Sequence, residues 1–249
     1  TDQKASPATE GLHPTAAGHV VMTYALLKGL GATPIVSAVT VDAKTGKAQA
    51  ERALLRNLQT ARGVSVSFVL HADALPYPYP AAAQSVLPYV PFTEDLNQET
   101  LRVTNLPAGD YVLEIDGTAV GTWSAERLAA GVNLATNSKT PQYKQALAAR
   151  KLNDRLQEIV KTQRNFRWME KARGYKQPDG TYRSNRAGKV IIDETGEVKW
   201  VEPEEWLAVF NKLAAGEKDR LDRIQKLRMQ LYGLCQPQPP RYELTPAKR

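Results

Sequence analysis

The segment Thr9-Glu10-Gly11-Leu12-His13-Pro14 sets a carboxylate and an imidazole three residues apart, with glycine between them and proline after. On a turn, that spacing brings the two side chains within reach of one another. A carboxylate so placed holds the imidazole in one tautomer and stabilises its protonated form, which a general base serving a serine hydroxyl requires. Pro14 restricts His13 to an extended backbone and frees the ring to stand above whatever begins at Thr15. On spacing alone, the same pair also reads as a solvent-exposed couple in a loop.

Other reactive side chains are sparse. His19 falls one and a half turns further on and reads as a packing or capping residue, while His71 closes a strand beside Asp73. Three histidines so scattered make no metal-ligand spacing. The single cysteine, Cys235, excludes an internal disulfide and a thiol metal site, and reads as a small apolar residue near the end of the last helix. Ser6 is the serine nearest His13, but no strand-to-helix elbow surrounds it. Tyr77-Pro-Tyr79, inside Leu75-Pro-Tyr-Pro-Tyr-Pro80, reads either as a stacking surface for a sugar or acyl group or as a rigid loop crossing a sandwich. Asn133 reads as a turn or cap residue.

These residues need elements to hold them. After His13-Pro14, apolar residues at Ala16, Val20, Tyr24, Leu27 and Leu30 predict a helix, capped by Thr15 and ended by Gly29 and Gly31. From about 33 to 122 the period shifts toward two, with strands expected over 34–42, 63–70, 100–104 and 110–116 and turns at Lys44-Thr-Gly46, Leu106-Pro-Ala-Gly109 and Asp116-Gly117. Ala48–Leu58 reads as a strand followed by a short helix. Short strands between turn signals predict a small antiparallel sandwich. Beyond it, Ser124 opens a short helix, Thr140-Pro141 opens a long one running to about Arg173, and a hairpin is expected near 189–201. Helices then fill the stretch from Pro203 to about Leu234, where Gln236-Pro-Gln-Pro-Pro240 stops them.

Composition narrows the classes. With 42% hydrophobic and 24% charged residues, the 249-residue chain can bury a core. No apolar run reaches the roughly 18 residues of a membrane span. The N-terminus, Thr1-Asp2-Gln3-Lys4, has neither an initiator Met nor a signal-peptide layout and reads as cut from something longer. The net charge of +7 is uneven: residues 1–137 carry 9 Lys and Arg against 12 Asp and Glu, whereas 138–249 carry 24 against 14. The acids interleave with the bases on expected helices, as a solvated face does, and no aromatic-and-basic ladder accompanies them. Nucleic acid is therefore not the expected partner.

Glu10-Gly-Leu-His-Pro-Thr-Ala-Ala-Gly-His19 and the helix after it resemble the last conserved block of the SGNH (GDSL) serine esterases, in which Asp-x-x-His-Pro supplies two triad members. Trp123-Ser-Ala-Glu-Arg-Leu-Ala-Ala-Gly-Val-Asn-Leu-Ala135, Thr140-Pro-Gln-Tyr-Lys-Gln-Ala146 and Gln236-Pro-Gln-Pro-Pro-Arg-Tyr-Glu-Leu244 resemble the tail of long, environmental-bacterial members. The resemblance implies an α/β fold, with residues 1–32 ending a flavodoxin-like SGNH domain, 33–122 a β-sandwich-like region and 123–249 a mostly α-helical extension. It implies ester hydrolysis with His13 as base and Glu10, in place of the family's aspartate, orienting it. Gly18 matches a glycine that lets the helix pack closely. The nucleophilic serine and the oxyanion blocks are not in this chain, so the chain alone is expected to be inactive. No cofactor or metal is implied, the substrate expected is a small-molecule or carbohydrate ester, and a periplasmic or secreted location is implied. A different class also fits the β-rich and basic parts: a non-catalytic module binding glycan or the cell envelope.

Overall fold

Strand alternation decides most of the architecture seen in the computed structural model. It describes residues 8–9, 13–176, 182–184, 189–192, 198–201 and 203–248, with side chains described over 13–170 and 208–248. The chain divides into two units, Thr1–Ala148 with Leu234–Arg249, and Ala149–Gly233.

The first unit opens with two short strands, β1 (Ala8–Thr9) and β2 (His13–Pro14), which pair antiparallel, and helix α1 (Ala16–Gly29). Then come β3 (Ile35–Asp42), β4 (Ala48–Glu51), β5 (Ala53–Ala61), β6 (Ser65–Ala72), a 3-10 helix (Ala81–Val86), α2 (Phe92–Leu96) and β7 (Gln98–Thr104). After these follow β8 (Asp110–Ile115), β9 (Thr118–Ser124), α3 (Ala125–Ala130), β10 (Val132–Asn133) and the start of the long α4 (Pro141–Arg173). The strands form two sheets. One has the order β10-β7-β3-β4 and is mixed, because β3 and β7 run parallel. The other is antiparallel, with the order β5-β6-β15-β8-β9. Its middle strand, β15 (Arg241–Pro246), comes from the far end of the chain.

Inward residues at alternate positions of both sheets share one core: Val39 and Val41, Phe68 and Leu70, Leu101 and Val103, Leu113 and Ile115, Tyr242 and Leu244. The β8–β9 turn uses Asp116 and Gly117, both at positive φ, as the tight hairpin turn whose twist matches its strands demands. Ser124 accepts from the Arg127 N–H to cap α3.

Within the second unit, β11 (Gly174–Lys176) pairs with β12 (Tyr182–Ser184), and β13 (Lys189–Ile192) with β14 (Val198–Val201). Helices α5 (Pro203–Ala215) and α6 (Glu217–Leu234) follow. Phe166, Met169 and Phe210 are buried together. The Arg167 and Arg220 guanidiniums lie 5.6 and 5.4 Å from the Phe166 ring, and Gln163 and Arg167 both bond Glu217.

Three expectations need correction. Ala48–Leu58 contains no helix. Leu55 and Leu58, three apart, mimic helical spacing, but β5 carries a bulge between Arg56 and Gln59 with Asn57 at φ 55°, which resets the strand phase so that both leucines pack on the core. The expected sandwich lacks its central strand unless β15 is included, and one of its sheets is mixed rather than antiparallel. A flavodoxin-like SGNH end is not what residues 13–32 build: α1 packs on the 3-10 helix and α2, in a two-sheet α/β fold.

Candidate functional site

His13 stands at the mouth of α1. Its backbone pairs with Thr9 across the β1–β2 ladder, and its side chain is exposed. Pro14 keeps the chain extended, and two residues after His13 the Thr15 hydroxyl accepts from the Gly18 N–H at 3.1 Å, fixing the start of the helix. The N-cap thus sets where His13 leaves the helix axis. Glu10, its expected orienting partner, lies outside the described residues, as does Ser6.

The helix that follows His13 rests on an aromatic platform. Ala17 and Val20 are buried with Tyr79, Ala83, Val86 and Phe92, and Tyr24 and Leu27 pack at the margin. The Tyr77 ring stacks on Phe92 with centroids 5.5 Å apart, and Tyr79 meets both edge-on. The Tyr77-Pro-Tyr79 run packs beneath α1 rather than crossing the sandwich: Tyr79 is core, and Tyr77 keeps 39% of its surface. Beside it, the Tyr24 hydroxyl donates to Asp95 at 2.6 Å and Lys28 pairs with the same carboxylate at 2.9 Å. Those contacts, the Tyr24 hydroxyl first, hold the Asp95 carboxyl below its ordinary range and raise Tyr24 and Lys28.

Asparagines tie the platform to β7. Asn97, fully buried, accepts from the Tyr77 N–H at 2.9 Å and donates to the Tyr77 carbonyl at 3.1 Å. Asn133 accepts from the Glu99 and Ala135 N–H groups and donates to the Asn97 carbonyl. Its role is the turn-holding one expected.

A second polar cluster lies between β7, α4 and β15. Glu99 on β7 is 4% exposed. The Gln142 amide at the start of α4 donates to it at 2.7 Å and to the Tyr242 hydroxyl of β15 at 2.8 Å. Burial pushes the Glu99 carboxyl up to about 7, against smaller opposing effects of the Gln142 and Tyr242 hydrogen bonds, and drives Tyr242 well above its ordinary value. The signal was present: Glu99 is in phase with inward-facing Leu101 and Val103. Of the remaining singled-out residues, His19 and His71 are exposed on α1 and β6, and Cys235 is exposed one residue past α6 rather than packed. Among the described residues no cluster of His, Cys, Asp or Glu has the makings of a metal site, and no helix is long and apolar enough to cross a membrane.

No protein-family model matches the sequence, and no curated protein matches it. Among solved structures the chain matches BT4096, a gut microbial diltiazem-metabolizing enzyme, with a TM-score of 0.74 and 30% identity. The chain is similar to a drug-metabolizing enzyme. The match covers 94% of this chain and 55% of that one, so the chain spans about half the length of the enzyme it resembles. Assignment to the SGNH class is corrected by this match together with the architecture above: what the solved enzyme shares with this chain is a two-sheet α/β fold, not an SGNH domain. The enzyme acts, by its description, on a small-molecule drug.

Proposed function

We propose that the full-length protein is a hydrolase that cleaves an ester on a small molecule, and that His13 is its general base with Glu10 orienting the imidazole. The carrying observation is the structural match over nearly the whole chain to a diltiazem-metabolizing enzyme. Diltiazem carries an acetyl ester, a bond that a base-assisted hydroxyl attacks readily. Supporting the role of His13 are its exposure and its backbone, paired with Thr9 and leading into a capped helix start. His13 takes a proton from the attacking hydroxyl, which this reading places on polypeptide outside this chain, and returns it to the departing alcohol. It then takes a proton from the water that attacks the acyl-enzyme, which releases the acid and restores the hydroxyl. The outward side of α1 supports the same reading. Met22, Leu26 and Leu30 are exposed opposite the packed face, as expected of a helix completed by a further part of the enzyme.

The test is hydrolysis of p-nitrophenyl acetate, then of diltiazem itself, by the full-length protein. His13→Ala is expected to lower kcat by about 10²-fold or more, the usual scale for a lost general base. Glu10→Gln is expected to lower it less. Full activity in His13→Ala would remove the histidine from the mechanism, and absence of ester hydrolysis by the intact protein would remove the function.

A further inference from the structure

The interior carboxyl of Glu99 sits where an ionised group has almost nothing to keep it charged. Its Oε2 and the Gln142 Oε1 are buried without a hydrogen-bond partner. The cavity alongside, lined by Ser37, Phe68, Leu70, Leu134 and Tyr242 among others, measures about 10 Å³. That is room for about one water molecule, far short of a hydration shell. The charged and titratable groups facing Glu99 are few. From β15 comes Tyr242, from α4 the neutral Gln142, from β3 the Ser37 hydroxyl, and from β6 only apolar Phe68 and Leu70. Among the described residues, Gln142 and Tyr242 are the side chains that act on the carboxyl, and Asp116 acts on Tyr242. An unpaired carboxylate in such a place costs far more than an uncharged acid.

Glu99 also sits at a junction. It belongs to the mixed sheet, whereas Tyr242 belongs to the central strand of the other sheet and Gln142 to the first turn of α4. Three segments far apart in sequence meet at one proton. We propose that Glu99 is a proton-controlled clasp that holds β15 and the first turn of α4 to the fold while the carboxyl is neutral and loosens them when it ionises.

The sign follows from the raised carboxyl. In the unfolded chain Glu99 ionises near 4.5, in the folded one near 7. The clasp's contribution is therefore full below about 4.5, falls as pH rises toward 7, and is gone above it. At tenfold per unit, the unfolding constant gains on the order of 70-fold between pH 5 and pH 8 from this group alone.

The test compares the full chain with its Glu99→Gln variant in urea unfolding at pH 5 and pH 8, with hydrogen exchange followed at residues 242–245. The wild type is expected to lose stability across that interval by the factor above relative to the variant, and its β15 amides to exchange faster than the variant's at pH 8. Equal pH dependence in both proteins overturns the clasp. Should Glu99→Gln not fold, infrared titration of the wild type decides. A protonated-carboxyl absorption that persists at pH 6 and disappears with a midpoint near 7 supports the proposal, and its absence at pH 6 refutes it.

Discussion

Replacing Asn97 with alanine tests how the platform under α1 is held. The Asn97 side chain is fully buried and makes a reciprocal pair with the Tyr77 backbone, at 2.9 Å to the N–H and 3.1 Å from the carbonyl. Alanine removes both bonds and leaves a backbone donor and acceptor in a partly buried place. Leaving a buried backbone group unpaired costs about 1–3 kcal/mol, and because both groups are only partly buried each falls toward the lower part of that range, so the two together are expected to cost about 2–4 kcal/mol. For a folding unit of this size that lowers the thermal midpoint by roughly 4–16 °C. Circular dichroism melts and urea unfolding of the chain read both quantities. Asn97→Asp serves as the control: it keeps the acceptor for the Tyr77 N–H, loses the donor and carries a charge into the interior, so its deficit should shrink on acidification as the carboxyl protonates. If the proposed ester hydrolysis holds, Asn97→Ala should also reduce it in the full-length protein, because Tyr77 stacks on Phe92 beneath α1. A loss below about 0.5 kcal/mol in Asn97→Ala would refute the reasoning, since the pair would then be no better than the water that replaces it.

Two further substitutions separate the units. Thr15→Ala removes the cap on the Gly18 N–H and should cost about 1 kcal/mol by urea unfolding, with Thr15→Ser restoring it. Phe210→Ala opens a cavity beside Phe166 and Met169 in the second unit and should cost about 3–5 kcal/mol there, read as an earlier unfolding transition in calorimetry. A Phe210→Ala protein as stable as wild type would mean that this small core contributes little to the unit's stability.

What the sequence revealed, and what it hid, follows from the range of the interactions involved. The start of α1 was legible because its determinants are local: Thr15 caps three residues ahead, and Pro14 acts on the residue before it. The strands at 35–42 and 110–115 were legible for the same reason, their alternation being written within eight residues. β5 mimics a helix because its bulge puts Leu55 and Leu58 on one face at a spacing that belongs to a helix, and only the partner strand β6 distinguishes the two. β15 was hidden more deeply. Its partners on β8 lie over a hundred residues away, and no local pattern in Arg-Tyr-Glu-Leu-Thr-Pro says that it enters the middle of a sheet. Glu99 lies between these cases. Its phase with Leu101 and Val103 marked it as an acid facing inward, a local and readable anomaly, but its companions Gln142 and Tyr242 are brought by the long-range closure that sequence does not display. The site residues divide along the same line. A histidine followed by proline at the mouth of a helix can be nominated from its neighbours, and so can an acid three residues before it, whereas a cluster such as Glu99, Gln142 and Tyr242 cannot.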